Sequence, residues 1–227
     1  MELDLNLSGL KPFQLRYWPV YERPHVHKGS FFGKIYTQMS DKVVPGAFNS
    51  PTYGQLDWQE TLVKVVQFMG ADSKASYEVI IGTDSEAQNG RADFVSAVIV
   101  HKKGRGGVYF WTRQKVDKLF SMRQRIWQEA IISLSLAERL VADFADMGLF
   151  DTSTKLSVNL FESEPQSRRP EQSRGIDLNL EIHVDIGPNG ETRQMIAEIV
   201  GMIRANGFKV ATKPASWGAS HVADRHV

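Results

Sequence analysis

Tyr77-Glu78-Val79-Ile80-Ile81-Gly82-Thr83-Asp84-Ser85 decides the reading of this chain. Val79, Ile80 and Ile81 are apolar at successive positions, so side chains on both faces of an extended segment seek burial, the pattern of a central strand covered on two sides. The strand delivers Asp84 at or just before its end, where an ionised carboxylate is costly to desolvate unless cations or a metal compensate it. The alternative is an aspartate that caps its own turn with Ser85.

Working outward, residues 94–101 form a second β-branched run and residues 108–113 a third, with Gly104-Arg105-Gly106-Gly107 as the turn between them. The three strands read as an antiparallel meander. The glycine turn lacks a Gly-Lys-Ser/Thr ending and joins two strands, so it is not a phosphate-binding loop. Upstream, Asp57 and Glu60 make a capping-box pattern, and Trp58, Leu62, Val65, Val66 and Met69 recur at helical spacing over roughly 57–69. Downstream, Ile126, Ala130, Ser133, Ala137, Leu140, Val141 and Phe144 put a long amphipathic helix over 121–147. A short run at 156–161 and a polar stretch at 162–175 with Arg168, Arg169 and Arg174 follow; the latter reads as an exposed loop. Leu178 to Ile186 alternate apolar and polar, the period of a strand. A helix over 191–205, a short strand over 208–212 and a helical segment over 217–225 complete the order βββ-α-β-α-β-α. Prolines at 12, 19, 24, 45 and 51 break the first fifty or so residues into an irregular arm or small cap. The expected division is 1–50 as that extension and 51–227 as one α/β domain.

With 227 residues and 42% hydrophobic content the chain can bury one large core. Its 27 basic and 26 acidic side chains nearly cancel, so a nucleic-acid partner has to be held by a local basic patch. The absence of cysteine excludes a disulfide framework, a thiolate zinc site and a cysteine nucleophile. No stretch approaches the roughly 20 apolar residues of a membrane helix and the first residues do not resemble a signal peptide, so the expected location is cytoplasmic.

Four carboxylates stand apart from the solvated majority. Asp84 ends the central strand. Glu129 falls beside the apolar stripe of the long helix, either facing the sheet or paired with Arg125. Asp185 ends a later strand, as a site residue or an exposed acid. Asp224 lies in the terminal helical segment three residues after His221, with a surface ion pair to Arg225 or Lys213 as its other reading. Carboxylates from strand ends, a packed helix and a late helix are the donor set that two hard cations about 4 Å apart require. Lys102, Lys103 and Arg105, with further cations at 115, 118, 123 and 125, offer phosphate contacts near that acidic group or a solvated surface. His183 shares a strand face with Asp185 and either orients it or is structural. His25 and His27 lack a third ligand. Trp217 reads as a packing anchor rather than a base-stacking platform.

Ile80-Ile81-Gly82-Thr83-Asp84-Ser85, the glycine turn with Tyr109-Phe110, Glu181-Ile182-His183-Val184-Asp185-Ile186-Gly187 and the stretch from Lys213-Pro214-Ala215-Ser216-Trp217 to His221-Val222-Ala223-Asp224 together resemble a bacterial family of RNase H-like proteins. The resemblance runs from about residue 50 onward. It implies a five-stranded mixed sheet, three antiparallel strands then two parallel ones, with helices on its faces. It also implies that Asp84, Glu129, Asp185 and Asp224 hold Mg²⁺ or Mn²⁺, with His221 assisting departure of product or metal. The leading expectation is therefore a metal-dependent nuclease acting on RNA or an RNA/DNA hybrid by a two-metal mechanism. The alternative is a non-catalytic nucleic-acid-binding or assembly protein that keeps the fold. Phosphoryl chemistry on a small nucleotide ranks last, because no phosphate-cradling motif is present.

Overall fold

Two three-residue strands, β1 (Phe48–Ser50) and β2 (Gly54–Leu56), form a hairpin that turns on Gly54, whose φ of 76° suits a residue without a Cβ. The computed structural model describes residues 47–72, 75–88, 91–117, 121–147, 179–188 and 191–227. Most of the expected N-terminal extension, His25, His27, the run at 156–161 and the arginine-bearing loop at 162–175 lie outside the described residues.

Helix α1 (Trp58–Gly70) starts as its sequence dictates: Asp57 accepts from the Glu60 N–H and Glu60 accepts from the Asp57 N–H, each at 2.8 Å. The meander follows as β3 (Tyr77–Gln88), β4 (Arg91–Lys102) and β5 (Gly107–Asp117). Helix α2 (Met122–Asp146) opens on a second capping box, Ser121 with Gln124. Then come β6 (Asn179–His183), helix α3 (Ile196–Ala205) and β7 (Lys209–Ala211). In place of the expected terminal α-helix over 217–225 stand a π-helical turn, Gly218–Ala223, and a 3-10 turn, Asp224–His226.

The strands lie in one sheet in the order β2-β1-β5-β4-β3-β6-β7. The expectation of five strands is corrected: the sheet has seven, because the β1–β2 hairpin extends it beyond β5 through the pairing of Asn49 with Trp111. Within it β3, β4 and β5 are antiparallel neighbours, while β6 runs parallel to β3 and β7 parallel to β6.

Residues from all three helices close one face in a single core, in which Leu62, Leu134 and Ile199 join Ile81, Val98 and Phe110. Opposite it, Ile80, Val95, Ala97 and Ile99 are covered by the terminal turns through Ala223. The cover is close. A Cβ on Gly82 would stand 2.7 Å from the Ala219 nitrogen, and one on Gly218 would stand 2.7 Å from Ile80 Cγ2 and 3.0 Å from His183 Nδ1. Glycine at 82 and 218 is what lets terminal backbone lie directly on β3.

Candidate functional site

β3 continues four residues past Asp84, which therefore sits within the strand and not at its end. Asp84 is paired with Val95 and so points to the face covered by the terminal turns, whereas Ser85, paired with Phe94, points to the face of α2. On the first face Asp84 lies beside Asp224, and the closeness of the two carboxyl groups favours a proton on Asp84. Burial is the main reason the Asp84 carboxyl is pushed up to about 6; the charges of Asp185 and Asp224 add to the effect, and the Ser85 N–H opposes it. Asp185 lies two residues beyond the end of β6. Its Oδ2 lies 2.9 Å from Lys213 Nζ, and its buried Oδ1 has no hydrogen-bond partner among the described residues.

Glu129 approaches from the other face. It is buried in α2, and its Oε1 accepts from Ser85 Oγ at 2.6 Å, while Arg125 donates to the Ser85 carbonyl at 3.0 Å. Burial pushes the Glu129 carboxyl up to about 8; Asp84 and Asp185 raise it further, and the Ser85 bond and Arg125 oppose them. The group is thus chiefly protonated at neutral pH.

The structure accordingly brings Asp84, Asp185 and Asp224 into one electrostatic neighbourhood, with Glu129 felt from the α2 side. It does not make them a cation cage. Among the described residues no group of three or more His, Cys, Asp or Glu side chains is placed to hold a metal ion. The expected Mg²⁺ or Mn²⁺ site, and with it the two-metal nuclease and hydrolase assignment, is corrected on that finding. The physical reason is local: period-two alternation aims Ser85, not Asp84, at Glu129; burial and the neighbouring Asp224 favour a proton on Asp84; and Lys213 neutralises Asp185.

The remaining predicted residues fall as follows. His221 is exposed, with Nδ1 3.0 Å from Ser220 Oγ. His183 is buried and its Nδ1 accepts the Gly218 N–H at 2.9 Å, which places its ring proton on Nε2, 3.5 Å from Glu181 Oε2. Glu181 is held below the usual carboxylate range chiefly by that histidine. Trp217 packs edge-on against His183 and His101, at centroid distances of 5.7 and 5.8 Å, as a packing anchor does. The hairpin cations are not beside the acidic residues. Lys102 pairs with Tyr77 and Asp84 with Val95, so seven strand residues, about 23 Å, separate them. Lys102 Nζ lies 2.8 Å from Asp72 and Arg105 Nη1 3.8 Å from the same carboxylate, while Lys103 and Arg105 remain exposed.

Sequence reasoning passed over the outer side of β5. Tyr109, Trp111, Arg113 and Lys115 alternate along one face, a period-two pattern present in the sequence and hidden there by reading the run only as a strand. Arg113 and Lys115 are exposed, and the His226 ring lies parallel to Trp111 at 4.4 Å between centroids, 9° from coplanar orientation.

An antiparallel meander continued by two parallel strands, with helices on one face and a carboxyl-rich corner beside its central strand, defines a mixed α/β domain of the RNase H type. The Ribonuclease H-like family profile matches residues 60–227, and the chain belongs to that family. It is also similar to the uncharacterised protein YkuK of Bacillus subtilis (strain 168), 28% identical over 179 residues that cover 78% of this chain and 95% of the relative. No solved structure matches. Among the described residues no helix is long and apolar enough to cross a membrane.

Proposed function

We propose that the chain is a non-catalytic nucleic-acid-binding protein that retains an RNase H-like fold, with RNA or an RNA/DNA hybrid as its partner. The observation that carries this reading is the engagement of the corner carboxylates by one another and by protein groups: Asp84 by Asp224, Glu129 by Ser85 and Asp185 by Lys213. Carboxyls so engaged, and protonated where burial and like charges raise them, are poor ligands for a hydrated cation. The family fold supports a nucleic-acid partner, and the exposed Lys103 and Arg105 at the β4–β5 turn, with Arg113 and Lys115 on β5 across the sheet from Asp84, supply phosphate contacts.

The test is equilibrium binding of labelled RNA, DNA and hybrid by the purified chain over a range of salt. The expected result is affinity that falls steeply with salt and is unchanged by Asp84→Asn. Absence of binding to all three at low salt would overturn the reading.

A further inference from the structure

The strand-face pattern on β5 ends in an arrangement that the corner carboxylates do not use. His226 stacks on Trp111, and its Nε2 lies 3.2 Å from Tyr109 Oη, with the Tyr109 ring 5.7 Å away. Arg113 donates from Nη2 to the His226 carbonyl oxygen and reaches Asp93 Oδ2 at 3.4 Å. A flat heteroaromatic ring therefore lies on an indole, its ring nitrogen met by a phenol and the oxygen beside it held by a guanidinium. Burial and the charges of Arg225 and Arg113 push the His226 imidazole down, which favours the neutral ring that resembles a nucleobase in charge as well as shape. The turn that carries it is a single 3-10 turn closed by the Val227 N–H on the Asp224 carbonyl at 3.3 Å.

We infer that Tyr109, Trp111 and Arg113 form a stacking site for one base of a single-stranded nucleic acid, and that His226 occupies it when the strand is absent. The inference rests on the nucleic-acid reading above and locates the contact. Stacking on an aromatic ring tolerates any base because every base has a π-face, and it works beside cations that follow the backbone. Here the cations are Arg113 and Lys115, exposed next along the same strand face. Binding replaces the imidazole by the base, and the Arg113 guanidinium exchanges a carbonyl oxygen for a phosphate or sugar oxygen without moving from the strand.

The experiment compares binding of a labelled single-stranded RNA oligomer by the full chain, its His226→Ala variant and its Trp111→Leu variant, with circular dichroism to verify folding. The site predicts that His226→Ala tightens binding about fivefold or more and that Trp111→Leu weakens it about tenfold, the loss of one stacked base. If the full chain binds and His226→Ala binds equally or more weakly, His226 is only packing and the stacking site falls while the nucleic-acid reading stands. Tightening by His226→Ala with no change in a folded Trp111→Leu also overturns the site. If Trp111→Leu does not fold, quenching of tryptophan emission by the oligomer in the His226→Ala variant decides, and its absence overturns the site. If the chain and both variants bind no RNA at low salt, both readings fall.

Discussion

At the scale of single residues, the corner is held together by protons more than by charge. Glu129 takes up its proton near pH 8 in the folded chain against 4.5 as its ordinary value. The native state therefore binds more protons than the unfolded state between those values, and stability falls as pH rises through that window, with the full loss reached above it. Asp84 acts in the same direction between 3.8 and about 6. Glu129→Gln keeps the shape and the acceptor for Ser85 while removing the titration. Thermal melts of the two proteins across pH should show a flatter profile for the variant and higher stability above about pH 8, by on the order of a few kcal/mol. An unchanged slope would mean that Glu129 is ionised in the folded chain. Sequence marked all four carboxylates from their positions, but not how they are partnered. Which way Asp84 and Ser85 point is fixed by the register with Val95 and Phe94, and pairing register is a property of two strands rather than of one.

At the scale of elements, glycines give predictions of opposite sign. Gly82→Ala drives a methyl into the backbone of Ala219, which cannot rotate away as a side chain can. Loss of roughly 1–3 kcal/mol is expected, with faster hydrogen exchange in residues 218–226. Gly201 lies exposed inside α3 with nothing within 4 Å of a Cβ, so Gly201→Ala should stabilise by roughly 0.5–1 kcal/mol, read from denaturant melts. Asp57→Ala removes the α1 cap and should cost about 1 kcal/mol in the same melts. The helices were legible because their signals are local, the capping box of α1 and the apolar stripe of α2, and the expected helix over 191–205 is α3 preceded by a 3-10 turn. β1 and β2 were not legible, because strands of three residues are too short to show a period and are held by the edge of β5. The terminal segment kept its place but not its helical type. Its backbone lies against Gly82 and is pinned by His183 through Gly218, tertiary contacts that local sequence does not encode.

At the scale of the whole molecule, the two sheet faces have different tasks. Helices fill one face with a continuous apolar core, and the short terminal turns cover only part of the other, leaving the β5 side with aromatic and basic residues at its surface. The expected grouping of hairpin cations with carboxylates failed because residues near one another in sequence can stand far apart along a pair of long strands, as Lys102 at the end of β4 and Asp84 seven positions along β3 do. The family and the α/β character were legible because the motifs around Asp84, Asp185 and Trp217 are contiguous; the chemistry was not, because it depends on which oxygens remain free after folding. That distinction can be measured directly by incubating an end-labelled RNA/DNA hybrid with excess protein and Mn²⁺ and resolving the strands by size. The account predicts a saturable complex from which both strands are recovered intact, whereas manganese-dependent shortening that disappears in Asp84→Asn would contradict it.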